Sequence, residues 1–207
     1  MSYETKNIRN ICLIGHGNNG KTSLAESMLY CTGAIDRMGK VADGTTVCDY
    51  DAEETSRQIT ISTALAPVNY NGVKINVLDC PGYFDFVGDV LCALRAVECG
   101  LIVTSAKDTA ESVSVGAQRN WNYLKNAKLP VMFAISKCNE EHGDYFKALD
   151  TIKGKYGSIV CPVTIPTTDG TGVIDLVHNV AYITKGAKVE KTDIPAADAD
   201  RAEELRA

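Results

Sequence analysis

The stretch Gly15-His16-Gly17-Asn18-Asn19-Gly20-Lys21-Thr22 fits the phosphate-binding pattern G-x-x-x-x-G-K-[ST]. A polyphosphate needs backbone N–H donors that close in without Cβ interference, which suits Gly15, Gly17 and Gly20. It also needs positive charge at its outer phosphates, and Lys21 together with a helix N-terminus provides that. Thr22 offers a hydroxyl to Mg²⁺, a hard cation that prefers oxygen. The bland alternative is a glycine turn, but the flanks favour the site. Ile11-Cys12-Leu13-Ile14 reads as a buried strand before the loop, and Leu24, Met28 and Cys31 recur at helical spacing after it. Strand, glycine loop and helix are the context the motif requires.

Two further positions extend this chemistry. Asp79-Cys80-Pro81-Gly82 follows an alternating strand, so Asp79 can hold Mg²⁺ through water while the Gly82 N–H approaches the last phosphate. Thr60, within Arg57-Gln58-Ile59-Thr60-Ile61, is a candidate second hydroxyl on the metal. In isolation Asp-x-x-Gly is as good a turn as a site. Its place one hairpin after the phosphate loop is what selects it.

Those residues need a frame. The chain has 207 residues, 45% hydrophobic and 23% charged, which suits one domain with at most a small subdomain. After the first helix, Thr32-Gly33 marks a stop and a polar segment without apolar periodicity runs to Arg57. Ile59–Tyr70 and Val73–Asp79 alternate as strands around Asn71-Gly72, a strong hairpin signal, and Pro67 suits an edge. Phe86, Val90, Leu94 and Val97 predict a helix, Leu101-Ile102-Val103 a buried strand, and Val113, Ala117, Trp121 and Leu124 a second amphipathic helix. Val131–Ile135 is another strand, Tyr145–Tyr156 another helix, and Ile159–Ile165 a further candidate strand. Val173–Val180 is apolar, Lys185–Lys191 is polar, and Asp200–Ala207 predicts a charged surface helix. Alternating buried strands and amphipathic helices make an α/β class fold: a doubly wound, mostly parallel sheet with one antiparallel edge hairpin. Such sheets bind ligands at the carboxyl ends of their strands, where the phosphate loop falls.

Composition narrows the surroundings. A net charge of −5 argues against a dedicated basic nucleic-acid surface. Eight cysteines without a C-x-x-C spacing predict buried free thiols in a reducing compartment rather than disulfides or a zinc site. The start Met1-Ser2-Tyr3-Glu4 has no apolar signal region, and Ser2 stands where N-myristoylation requires glycine. No apolar stretch is long enough to span a bilayer, so a cytoplasmic location without a membrane partner is expected.

The motifs GHGNNGKT, RQITI and DCPGYFDF, in this order, resemble the G domain of translational GTPases. GTTVCDYDAEE before RQITI, and SKCN followed by GDYF, are similar to elongation factor G and especially to elongation factor G-like proteins. The resemblance runs from Asn7 over nearly the whole chain. It implies a P-loop NTPase fold, GTP or GDP as ligand with Mg²⁺ as cofactor, and the ribosome as partner. It places Gly15, His16, Gly17, Asn18, Asn19, Gly20, Lys21, Thr22 and Ser23 on the phosphates, and Thr22, Thr60 and Asp79 on the metal. Thr60 and Gly82 would sense the γ-phosphate, with hydrolysis releasing the loops that carry them. Ser136, Lys137 and Asn139 would face the base. Residues 1–166 correspond to the GTP-binding core and 167–207 to the start of an inserted subdomain.

Three departures from the family pattern bear on function. The catalytic histidine after Asp-x-x-Gly is here Tyr83, a longer side chain in the water-positioning place, with Lys21 beside it in catalysis. The alternative is that Tyr83 only packs on the following helix. The guanine-reading Asn-Lys-x-Asp is here Ser136-Lys137-Cys138-Asn139. An asparagine accepts one hydrogen bond from guanine and opposes the second, a loss of about 1.5–3 kcal/mol or about 10–100-fold in affinity. The same amide matches xanthine. Ser136, shorter than asparagine, is expected to weaken the tie to the P-loop. The family's last guanine loop, a Ser-Ala pair after one more strand, has no counterpart in the right order, which predicts a sheet without its final strand. A second reading is therefore a nucleotide-gated binding module with little hydrolysis or altered base preference. A metabolic kinase or ATPase would need a substrate lid and basic residues that the sequence lacks.

Overall fold

The computed structural model describes residues 3–107, 112–186 and 188–206. By its contacts the chain forms two compact units, Met1–Lys137 and Cys138–Ala207. Tyr145, Phe146 and Ile165 pack into the second unit's core.

The first unit is built on a five-stranded sheet. Its strands are β1 (Ile8–Gly15), β2 (Ala64–Tyr70), β3 (Val73–Asp79), β4 (Cys99–Ser105) and β5 (Val131–Ser136), in the spatial order β2-β3-β1-β4-β5. β1 pairs in parallel with β3 and β4, and β4 with β5, while the β2 edge runs antiparallel to β3. Pro67 sits on that edge strand opposite Asn76, where a missing N–H costs no inner ladder bond. Asn71 and Gly72 both have positive φ, as a tight hairpin turn between right-twisted strands requires. β1 runs through the middle, and Cys12, Leu13 and Ile14 are fully buried as a strand covered on both faces must be.

Helix α1 (Lys21–Cys31) covers one face, placing Ala25 and Leu29 against Leu13, Ala64, Ala66, Val68 and Val77. Its Glu26 is also fully buried and makes no ion pair among the described residues. Instead its carboxylate accepts the backbone N–H groups of Gly39 (2.9 Å) and Val47 (2.5 Å), pinning the segment after α1. Replacing Glu26 by alanine strands the buried Gly39 donor and removes the partner of the part-buried Val47 N–H. It is expected to lower stability by about 2–4 kcal/mol, or the melting temperature by about 5–15 °C; an unchanged melt would refute the clamp.

The polar stretch before Arg57 is not irregular throughout: α2 (Ala52–Arg57) forms there. Asp51 and Glu54 make a reciprocal capping box at its start. Glu54 is buried and its other oxygen accepts the N–H groups of Ile61 (2.9 Å) and Ser62 (3.0 Å). Those amides are thereby withdrawn from any ladder, which corrects the strand expected from Ile59: β2 begins at Ala64. The helix expected through Val97 is also shorter, α3 (Val87–Ala93). Beyond it the chain tightens into i→i+3 bonds, Arg95 to Cys92 and Ala96 to Ala93, while Leu94 and Val97 stay buried. α4 (Ser112–Ala127) buries Ala117 and Leu124 and stacks Trp121 on Phe133, with ring centroids 6.0 Å apart. The Val113 side chain lies outside the described residues, as do Met1, Ser2 and Ala207.

The second unit holds α5 (Tyr145–Tyr156), the strands β6 (Thr164–Pro166), β7 (Gly172–Asp175), β8 (Val180–Lys185) and β9 (Lys188–Thr192), and α6 (Ala196–Arg206). The four strands form an antiparallel meander around Ile165, Ile174, Leu176, Ala181 and Ala202. Ile159–Ile165 thus adds no strand to the parallel sheet; only Thr164–Pro166 pairs, and with β7. In the polar run at Lys185–Lys191, Lys185 ends β8 and Lys188–Lys191 pair back onto β8 as part of β9, and α6 starts at Ala196 rather than Asp200. Asp198 is buried in α6 because it accepts from the backbone and hydroxyl of Thr168.

Among the described residues no helix is long and apolar enough to cross a membrane. All eight cysteines are free; Cys12, Cys48 and Cys80 are buried, whereas Cys31, Cys92 and Cys161 are exposed.

Candidate functional site

Parallel strands end on the same side, so the loops after β1, β3 and β5 converge at one edge of the sheet. There they enclose a cavity of about 340 Å³. Gly17, Asn18, Gly20, Lys21, Thr22 and Ser23 line it from the P-loop, Gly82 and Tyr83 from beyond β3, and Lys137 from beyond β5. Thr60 closes it, with Val41, Ala42, Asp49, Gln58 and Ile59 around it.

The P-loop is braced from below. Asn19 is nearly buried and donates its side-chain amide to the Val103 carbonyl of β4 (3.2 Å). The Ser136 hydroxyl reaches the Asn19 carbonyl at 2.8 Å and the Thr104 carbonyl at 3.0 Å. Ser136, though shorter than asparagine, thus ties the base-side loop to the P-loop. The β5 end runs close enough for a two-atom side chain to span the gap. Asn139 lies in the second unit, exposed in a turn.

Lys21 opens α1, is 5% exposed and donates to the His16 carbonyl at 3.0 Å. Burial pulls its pKa below the ordinary lysine value, and the Asp79 carboxylate opposes that fall. Asp79 ends β3 and is completely buried, and neither carboxylate oxygen meets a hydrogen-bond donor of good geometry. Burial raises its pKa to about 6, against the pull of the nearby Thr22 hydroxyl and Lys21 ammonium toward the charged form.

Above Asp79 runs a short chain of oxygens. The Thr22 and Thr60 hydroxyls stand 3.1 Å apart, and Thr60 donates to Asp49 Oδ1 at 2.8 Å. With its proton given to Asp49, Thr60 accepts from Thr22. Asp49 is buried, its pKa raised by that burial, and its Oδ2 has no hydrogen-bond partner. The expected metal residues Thr22 and Thr60 are thus brought together. Asp49 joins them, although the sequence placed it only within the polar segment that runs to Arg57. Asp49 and Thr60 are 11 residues apart in sequence, and α2 with its capping box, lying between them, turns one back onto the other. The donor-less oxygens of Asp49 and Asp79 and the two hydroxyls form an all-oxygen set that fits Mg²⁺. Among the described residues no cluster of three or more His, Cys, Asp or Glu side chains can hold a metal alone, so phosphate and water would complete the coordination.

Tyr83 sits at the cavity rim, half-buried, its ring over Gly17 and edge-on to His16 at 6.3 Å. His16 turns outward and its Nδ1 accepts the Gly17 N–H at 2.6 Å.

Comparison with known proteins agrees with this geometry. The family described as "Elongation factor Tu GTP binding domain" matches residues 6–200. The elongation factor G-like protein of Mycobacterium tuberculosis (strain ATCC 25618 / H37Rv) is 35% identical over 200 residues, covering 96% of this chain and 27% of the relative. Elongation factor G of Granulibacter bethesdensis is 32% identical over 206 residues, covering 96% and 29%. A crystal structure of a protein from Thermus thermophilus superposes with a TM-score of 0.88 at 35% identity, covering 96% of this chain and 30% of that one. The chain therefore spans less than a third of the length of each of these relatives. With a P-loop, a β3-end aspartate and a family match over nearly its whole length, the chain belongs to the elongation factor Tu GTP binding domain family.

Proposed function

We propose that this domain binds GTP and GDP with Mg²⁺ and hydrolyses the γ-phosphate. It would do so as the switch domain of an elongation factor G-like translation factor that works on the ribosome in the cytoplasm. The observation that carries this reading is the Thr22–Thr60–Asp49 chain of hydroxyls and carboxylate, set over the donor-less Asp79 at the mouth of the P-loop cavity. Mg²⁺, when bound, neutralises charge on the β- and γ-phosphate oxygens. Thr22, Thr60, Asp79 and the added Asp49 would hold it. Lys21 places positive charge on the same phosphates, and the Gly82 N–H faces the last one. Tyr83 orients the attacking water from the rim. Thr60 and Gly82 lose their hold when the last phosphate leaves, freeing the segments that Glu26 and Glu54 otherwise brace. Lys137 lies along the base, and residues 167–207 begin the inserted subdomain.

Titration of the full-length protein with GTP, XTP and ATP in the presence of Mg²⁺ tests the binding half, and a preference for ATP would overturn it. Single-turnover hydrolysis with and without ribosomes tests the rest, because isolated switch GTPases are slow and depend on a partner. Tyr83 and Asn139 favour a second reading, a nucleotide-gated module with weak hydrolysis or a xanthine preference. No stimulation by ribosomes, or tighter XTP than GTP binding, would select it.

A further inference from the structure

We infer that Gly17 is a positioning residue: its missing side chain is the seat that holds the Tyr83 phenol over the P-loop at the outer-phosphate end. The inference rests on the proposed hydrolytic site for its consequence, but its geometry stands apart from it. Gly15 and Gly20 have φ of +153° and +84°, which explains glycine at both positions. Gly17 has no such backbone angle, so any residue can adopt its conformation. What excludes a side chain is the tyrosine. A Cβ built on Gly17 falls 2.8 Å from Tyr83 Cε2 and Cζ and 3.2 Å from its hydroxyl oxygen.

The ring cannot simply back away. A Cβ on the preceding Gly82 would lie 2.6 Å from the Gly17 nitrogen and 2.8 Å from its Cα, so the two backbones already touch. On another side the ring meets His16 edge-on at 82°. His16 itself is stacked 6.1 Å from Phe84, whose ring lies 4.2 Å from the Arg119 guanidinium on α4. A methyl at position 17 must therefore rotate the phenol out of its place, since both the loop and the Gly82 backbone are braced.

The expected result is a coupling between positions 17 and 83. Gly17→Ala should slow hydrolysis by about 100-fold, the effect of a displacement of about 1 Å at a reacting centre. In a Tyr83→Ala background, Gly17→Ala should alter hydrolysis and affinity for a non-hydrolysable GTP analogue by less than about threefold. In protein labelled with 3-fluorotyrosine, the ¹⁹F resonance that vanishes in Tyr83→Phe should move in Gly17→Ala. Equal effects of Gly17→Ala in both backgrounds, or an unmoved resonance, would overturn the seat; Gly17 would then act on phosphate directly. Should Gly17→Ala fail to fold, folding of the double variant supports the seat and failure of both overturns it. An absence of hydrolysis by the wild-type protein would sink only the hydrolytic reading, since the ¹⁹F shift and analogue affinity still decide the seat.

Discussion

Replacing Lys21 by methionine is expected to weaken GDP and GTP binding by about 100–1000-fold while leaving the chain folded. The lysine is buried at the start of α1, its ammonium pointing back over the loop to the His16 carbonyl. Nearby stand the buried carboxylates of Asp79 and Asp49. Without the ammonium, a polyphosphate entering the cavity meets two carboxylates and no side-chain cation at the loop's base. Truncating one member of a buried, hydrogen-bonded charge pair costs about 2–5 kcal/mol, which corresponds to the stated loss at about 1.4 kcal/mol per factor of ten. Stability should move the other way or not at all, since burial already lowers the lysine's pKa and so penalises its charge. Titration with a fluorescent GDP and a thermal melt check both halves. Affinity within about threefold of wild type would contradict the assigned role.

Asp79→Asn is expected to separate stability from function. The wild-type carboxyl is fully buried, lacks well-placed donors and has a pKa near 6 instead of 3.8. Its folded-state pKa is raised, so between about pH 4 and 6 the folded chain holds a proton that the unfolded chain has released. The stabilising proton is present at low pH and lost as pH rises through about 6. At neutral pH the ionised form then costs the fold about 3 kcal/mol. Asparagine carries no charge but leaves amide groups without partners, so the net gain at pH 7.5 should be about 1–2 kcal/mol. At pH 5, where the wild-type group is protonated, that gain should vanish. Mg²⁺-dependent nucleotide binding should fall by about 100-fold or more, as expected for removing a charged member of a buried cluster. Denaturant unfolding without nucleotide at both pH values is the measurement. Equal destabilisation at pH 5 and 7.5 would show that Asp79 is structural. Stability held in reserve against function in this way is common where charge must be kept ready for a ligand.

Much of the phosphate end was legible because its chemistry is local. A strand, a glycine loop, Lys21 and Thr22 must be contiguous for backbone amides and a helix N-terminus to meet on one anion, so spacing alone announces them. The hairpin was legible for the same reason: Asn71-Gly72 is read by its own φ angles. What was misread lay where side chains a long way apart in sequence compete for backbone groups. Glu54 takes the Ile61 and Ser62 amides and delays β2, and Glu26 holds Gly39 and Val47 in a stretch that looks unstructured by periodicity. A carboxylate that solvates buried amides leaves no hydrophobic pattern, so neither role shows in a one-dimensional reading. That the Ser136 hydroxyl reaches the Asn19 carbonyl likewise depends on how closely β5 and the P-loop approach, which spacing does not give.

By itself, then, the order of residues determined the α/β class, the parallel sheet with its edge hairpin, and the glycine loop between β1 and α1. Each is announced by a local pattern: alternation of buried residues, turn residues, or motif spacing. Only the tertiary structure decided that Asp49 joins Thr22 and Thr60, and that Asp79 lies without donors beneath them. It also decided that glycine at position 17 answers to the ring of Tyr83. Those arrangements depend on the folding back of the segment between α1 and β2 and on the contact of two loops at the sheet's carboxyl edge. Distance in space, not spacing in sequence, sets the energy there.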